Sequence, residues 1–242
     1  MGADAAQARL NDLVGRYQLG PRQCAQLAGV LDALAADPRA PTSVRAPERA
    51  VDVHIADSLA ALDIEVVRGS RQIADLGAGA GFPGVPLAVA LPGAQVSLVE
   101  SQRRKCEFLH RLCATAGMKN VRVVCGRAEE WREGLAANDL AVARALARQP
   151  VVLEYAAPLL REGGVLVDWR GRRRPQEERA ARAAAQQLGL EPIGVGATVP
   201  FRGATDRHLH LYMKVSATPE RFPRRPGTAR KRPLGGALQM SG

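Results

Sequence analysis

DLGAGAGFPG, residues 75–84, sets four glycines and one proline in ten positions, directly after a strand-like run at about 71–76. Glycines so closely spaced build no side-chain core; they let the backbone turn sharply and present its N–H groups to something other than protein. The chain that follows decides the fold. Strands read at about 71–76, 95–100 (QVSLVE), 121–125 (VRVVC), 139–144 (DLAVAR), 164–170, 191–199 and 208–215 (HLHLYMKV), with helices between the first six, notably 103–116 and 176–188. That alternation predicts a parallel sheet covered on both faces. PFRGATDR, residues 200–207, is too short for a crossover helix, so the seventh strand returns antiparallel as a hairpin. The expected class is α/β: a Rossmann-like, seven-stranded, mostly parallel sheet with an antiparallel last strand.

Residues 1–62 carry only helical patterns and form an N-terminal helical extension. AQARLNDLVGRYQL is amphipathic, Pro21 opens a second helix ending near Asp37-Pro38, and Pro47 opens a third through ERAVDVHIADSLAAL. The sheet domain spans 63–217, and 218–242 is a Pro/Arg-rich tail. Within ATPERFPRRPGTARKRPLGG, Arg221, Arg224, Arg225, Arg230, Lys231 and Arg232 face a single acid, Glu220. Half of the chain's net charge of +10 is therefore concentrated in the tail. A basic cluster of this kind, with Arg170, Arg172, Arg173 and Arg174 after the fifth strand, suits phosphate contacts with nucleic acid; these give affinity but little sequence choice.

The four cysteines, Cys24, Cys106, Cys113 and Cys125, lack metal-ligand spacing. With no secretory pattern in MGADAAQARL, they read as free thiols of a cytoplasmic protein. Pro92-Gly93 interrupts the best apolar run, which excludes a membrane span. A monomer is expected.

Three ligands compete for the glycine loop. The phosphate-loop pattern GxxxxGK[ST] is absent, and the dinucleotide pattern GxGxxG begun at Gly77 fails because position 82 is Phe. The spacing Asp75-x-Gly77-x-Gly79-x-Gly81 suits S-adenosylmethionine, whose ammonium wants an acid and whose carboxylate wants N–H groups; a tight structural turn would carry the same glycines. Glu100 ends the second strand, 23 positions after Gly77, where an acid accepts from both ribose hydroxyls. Ala128 and Glu129 of GRAEE follow the third strand, where an adenine lies. Arg144 ends the fourth strand, at the edge where acceptor chemistry occurs. The fold is thus expected to be that of a class I S-adenosylmethionine-dependent methyltransferase.

Together HIADSL (54–59), DLGAGAGFPGVPLAVALP (75–92), VESQRRKCEFL (99–109), NVRVVCGRAEE (120–130), RHLHLYMK (207–214) and PERFPRRPGTARKRPL (219–234) resemble the blocks of the bacterial RsmG (GidB) family of small-subunit ribosomal RNA methyltransferases. GFPG and the proline-basic tail are the most specific of these. The resemblance implies methylation of guanine N7 in the 530 loop of 16S rRNA, either bare or in the small subunit. It also implies cofactor contacts at Gly77, Phe82, Glu100, Ala128, Glu129 and Arg144. Departures lie in LDALAADPRAPTSVRAP (31–47), in Ala143 where the family has Ser, and in Trp169-Arg170-Gly171 where it has Leu-Lys-Gly.

Guanine N7 is a free lone pair, so in-line methyl transfer needs no general base and none is assigned. His54, Asp57 and Ser58 share one helix and cannot form a relay that requires separate segments; they read as a hydrogen-bond network to the core. Two other functions fit the same residues: a methyltransferase for another RNA site or a small molecule, and a non-catalytic RNA-binding assembly factor.

Overall fold

A computed structural model describes residues 2–235. The expected segments 1–62 and 218–242 therefore each extend beyond the described residues, by residue 1 and by residues 236–242. The chain opens with helices α1 (Gly2–Arg16) and α2 (Pro21–Ala36). A helical run follows: α3 (Pro47–Ala50), a π-helical segment Val51–Ala56, α4 (Asp57–Leu59) and a 3₁₀ turn Ala60–Asp63, then α5 (Glu65–Gly69). Next come β1 (Gln72–Leu76), α6 (Gly84–Ala90), β2 (Gln95–Glu100), α7 (Arg103–Thr115), β3 (Val121–Cys125) and β4 (Asn138–Arg144). The remaining elements are α8 (Gln149–Ala156), β5 (Leu160–Arg170), α9 (Pro175–Leu188), β6 (Leu190–Ala197), β7 (His208–Lys214) and α10 (Thr228–Lys231).

The sheet order is β3-β2-β1-β4-β5-β7-β6. β1 to β5 pair in parallel, and β7 inserts antiparallel to both β5 and β6. This is the expected architecture. Strands β1, β2 and β4 are largely buried on both faces, and Ile73, Leu76, Leu98 and Leu140 are fully buried, which suits a sheet with helices on each side. Each such side chain contributes roughly 1.5–3 kcal/mol of burial. The strand order reverses at β1 and β4, so their carboxyl ends open the crevice where α/β sheets bind ligands.

Two segments differ from expectation. No α-helix joins β3 to β4; the link holds only 3₁₀ turns at Ala128–Glu130 and Arg132–Gly134. Buried Trp131 folds back against Gly134 there, closing the turn before a helix can extend. The helix begun by Pro47 is also irregular, because its middle winds as a π-helix, a distortion that turns extra side chains inward. His54 and Asp57 are both buried as a result.

The N-terminal helices share the core of the sheet. Leu10, Leu27, Val30 and Leu34 belong to the same buried cluster as Leu87, Leu98 and Phe108. Gln23 ties them further: its Oε1 accepts from Gly20 N at 2.7 Å and its Nε2 donates to Val89 O at 2.9 Å. Among the described residues, no helix is long and apolar enough to cross a membrane.

The expectation of four free thiols is corrected. Cys106, in the first turn of α7, and Cys125, at the end of β3, form a disulfide, while Cys24 and Cys113 stay free. Cys125 pairs in register with Glu100, and α7 starts just beyond Glu100, so the sheet brings together two cysteines 19 residues apart.

Candidate cofactor and nucleic-acid site

β1 delivers its chain into the glycine loop at the carboxyl edge of the sheet. Gly77 N and Ala78 N both donate to Val99 O, at 2.8 and 3.1 Å, tying the loop to β2. Gly77 has φ +71°, and a Cβ there would lie 2.5 Å from Leu146 Cδ1. Only glycine takes this conformation freely with the β4–α8 loop so close. A cavity of about 440 Å³ adjoins it, lined by Gly77, Val99, Ser101, Gln102, Gly126, Arg127, Ala128, Glu129, Leu146, Tyr155 and Arg230. Of the residues expected to hold the cofactor, Gly77, Ala128 and Glu129 meet here.

Glu100 lies at the base of the loop, buried, and is already bonded. Its Oε2 accepts from Gly79 N at 3.1 Å and its Oε1 from Gln102 N at 2.8 Å. A carboxylate has about four acceptor positions, so two remain for a ligand.

Asp75 is fully buried beneath the loop. Its Oδ2 accepts from Gly84 N at 2.8 Å, and its Oδ1 has no hydrogen-bond partner. Burial pushes its pKa up to about 7, against the smaller opposing effects of the Gly84 hydrogen bond and Arg144. Because the folded value exceeds the unfolded one, Asp75 costs stability as pH rises from about 4 to about 7. Asp75→Asn is expected to lose this slope. Its unfolding free energy, relative to wild type, should rise between pH 5 and pH 7 by up to about 1.4 kcal/mol per unit in urea titrations. A pH-independent difference would show that Asp75 is ionised throughout.

Phe82 and Arg144 belong to a second layer, outside the glycine-loop cavity. Phe82 is buried and stacks on His54, ring centroids 4.3 Å apart and planes 6° apart; the Arg144 guanidinium lies 5.7 Å from its ring. Arg144 Nη1 donates to Val53 O and to Asp57 Oδ2, both at 2.8 Å. Burial, with the Arg144 charge, lowers the His54 pKa to about 4, so the ring is neutral at pH 7. Its Nε2 sits 2.9 Å from Thr42 Oγ1. Ser58 Oγ donates to His54 O, and Trp169 Nε1 donates to Asp57 O at 2.9 Å. The expected His54-Asp57-Ser58 network is present, and it positions Arg144.

Beyond this layer lies a larger cavity, about 680 Å³, walled by Arg144, Arg148, Arg170, Arg172, Arg174 and Arg207, with Asp57, Trp169 and Glu177 among them. Sequence reasoning missed Arg148, four residues after Arg144, and Arg207, which is distant in the chain from the others; only the register Arg144↔Trp169 and Arg170↔His208 brings these segments to one edge.

The residues expected to touch phosphates divide into two groups. Arg170 is engaged within the protein: it donates to Ala147 O at 2.8 Å, pairs with Glu177, and lies 3.7 Å from Asp168. Arg224 grips buried Glu154 with Nε and Nη2, and Arg230 Nη2 donates to Leu146 O at 3.1 Å. Arg221, Arg225, Lys231 and Arg232 are exposed.

Comparison with known proteins agrees with this geometry. Residues 35–209 match the family model GidB, rRNA small subunit methyltransferase G. The "Ribosomal RNA small subunit methyltransferase G" of Desulfitobacterium hafniense is 38% identical over 199 residues, covering 80% of this chain and 81% of that protein. The Deinococcus deserti protein of the same name is 40% identical over 200 residues, covering 80% of each. Among solved structures, a SAM-dependent methyltransferase from Aquifex aeolicus aligns with TM-score 0.56 at 16% identity, over 76% of this chain and 97% of that one. The S-adenosylmethionine-dependent methyltransferase SibL aligns with TM-score 0.55, also at 16% identity, over 77% of this chain and 62% of that one. These two likenesses establish the Rossmann-like methyltransferase fold, and the sequence matches establish the family: this chain belongs to the rRNA small subunit methyltransferase G (GidB) family.

Proposed function

We propose that this protein uses S-adenosylmethionine to methylate N7 of a guanine in the 530 loop of 16S ribosomal RNA. Family membership supports an rRNA methyltransferase; the atom and the loop follow from the motif resemblance. The observation that carries the reading is the loop between β4 and α8. Leu146 lines the glycine-loop cavity, whereas Arg144, Ala145, Ala147 and Arg148 line the arginine-walled one. A small cationic donor and a polyanionic acceptor have separate chambers on the two sides of one five-residue turn.

The residues present suit that donor. Asp75 offers a buried, unpartnered oxygen to an ammonium, Glu100 has acceptor positions left for ribose hydroxyls, and the backbone at Ala128 and Glu129 can read an adenine edge. The bound cofactor supplies an electrophilic methyl group on sulfur. The protein's part is to bind and orient. Phe82 and Arg144 are held by His54 and Asp57, and Arg144 fixes the start of the turn that separates the chambers. Arg148, Arg172 and Arg174 of the arginine wall, with Arg225, Lys231 and Arg232 outside it, hold phosphates. Guanine N7 gives up no proton on attack, so alignment suffices and no acid or base is assigned.

The test is incubation with methyl-labelled S-adenosylmethionine and either bare 16S rRNA or small subunits, followed by nuclease digestion and mass spectrometry. Label on guanine N7 in the 530 loop is expected; label on an amine, a ribose or a pyrimidine would overturn the proposal. Glu100→Ala should weaken cofactor binding by tenfold or more, on the order of 1.4 kcal/mol or above, measured by calorimetry. An unchanged affinity would remove Glu100 from the site.

A further inference from the structure

The sequence presents the C-terminal tail as a basic arm for RNA, yet the structure lays part of it along the cofactor cavity. Three polar ties hold it there. Arg224 is clamped on Glu154 of α8, and its Nη2 also donates to Arg232 O at 2.9 Å, closing the tail on itself. Gly227 N donates to Glu129 Oε1 at 3.2 Å, and Arg230 Nη2 donates to Leu146 O at 3.1 Å. Phe222 and Ala229 are buried in the same apolar cluster as Tyr155 and Val151 of α8. The tail is thus packed against the domain as a structural element.

These contacts place the Arg230 guanidinium at a defined point. It lines the cavity together with Gly77, Ala128, Glu129, Leu146 and Tyr155, on the side reached by the loop after β3. Burial raises the pKa of the Tyr155 phenol, and the Arg230 charge beside it acts in the opposite sense. In the cofactor reading, on which this inference rests, the loop after β3 is where the adenine lies. A planar guanidinium at the rim of an adenine pocket can stack on the purine face, which an ammonium cannot do as well.

We propose that Arg230 is a cofactor-binding residue that covers the adenine, making the tail a wall of the cofactor pocket. Because Gly227 and Arg230 contact Glu129 and Leu146, which line that pocket, cofactor binding and tail docking favour one another by thermodynamic reciprocity. The exposed Arg225, Lys231 and Arg232 are then presented to RNA from a tail whose seating depends on the cofactor.

Calorimetry of S-adenosylmethionine, S-adenosylhomocysteine and adenosine binding tests this, comparing wild type, Arg230→Ala, Arg230→Lys and the exposed control Arg202→Ala. Arg230→Ala should weaken all three ligands by a similar factor of about ten, because the lost contact is to the base they share, with Arg230→Lys intermediate. Melting temperature should stay within about 2 °C of wild type, since Arg230 is exposed and no apolar contact is removed. Limited trypsin digestion should show the wild-type tail protected by S-adenosylmethionine and that protection lost in Arg230→Ala. Wild-type affinities in Arg230→Ala would overturn the inference and leave the proposed function standing. Failure of the wild type to bind S-adenosylmethionine would overturn both. Loss of S-adenosylmethionine affinity with adenosine affinity unchanged would also overturn it, because the contact would not be to the base.

Discussion

Gly77→Arg abolishes S-adenosylmethionine binding while the chain still unfolds cooperatively: this is the expected result for the substitution at the first turn of the glycine loop. Two effects add. At φ +71° any side chain is strained, at a cost of about 1–2 kcal/mol, and its Cβ would lie 2.5 Å from Leu146 Cδ1. The tip of a leucine can yield, so the fold survives. Its displacement moves the partition between the two chambers, and the arginine side chain extends into space lined by Ala128 and Glu129. We expect the dissociation constant to rise by about a hundredfold or more, about 2.7 kcal/mol, with no measurable heat in calorimetry. The melting temperature should fall by roughly 2–8 °C, given about 2–4 °C per kcal/mol for a chain of this size. Wild-type affinity in this variant would show that the cavity beside Gly77 is not the cofactor's.

Arg224→Ala should produce the largest loss of stability. Its partner Glu154 is 1% exposed on a helix whose residues are all buried, whereas Arg224 retains 23% of its side-chain exposure. Pairing with Glu154 raises the Arg224 pKa, chiefly through the hydrogen bond itself, consistent with a tight charged contact. Truncating the arginine strands a carboxylate in the apolar cluster beside Tyr155, at about 3–5 kcal/mol. That corresponds to a drop of roughly 6–20 °C in melting temperature. The double variant Arg224→Met/Glu154→Leu should recover most of the loss, because buried ion pairs are often replaceable by apolar pairs of similar volume. A single variant within 1 kcal/mol of wild type would show that the tail does not seat on α8.

Much of this molecule was legible from its residues. Alternating strand and helix patterns, and the eight-residue link before β7, predict the sheet and its reversed last strand because each rests on a few neighbouring residues. The one missing crossover, between β3 and β4, fails for a non-local reason: Trp131 is buried in the cluster that holds Leu76, Val99 and Val151, and the segment around it winds only as 3₁₀ turns. At the site, Gly77, Ala128 and Glu129 meet as the motif spacing predicts, because loops after consecutive parallel strands emerge at the same edge of a sheet.

The destinations of the charged and sulfur-bearing side chains needed the folded chain. Arg144 is spent on Asp57, Arg170 on Glu177 and Asp168, Arg224 on Glu154, and Cys106 on Cys125. None of these partners follows from spacing along the chain. A guanidinium on a flexible stem pairs with whichever acid the packing brings near. So the sequence by itself determined the α/β class, the strand directions and the glycine loop, since backbone conformation and periodic burial are local properties. Only the tertiary structure decided which arginines are spent on internal acids and that the tail lies against the cavity beside the glycine loop, since both depend on contacts between segments up to about a hundred residues apart.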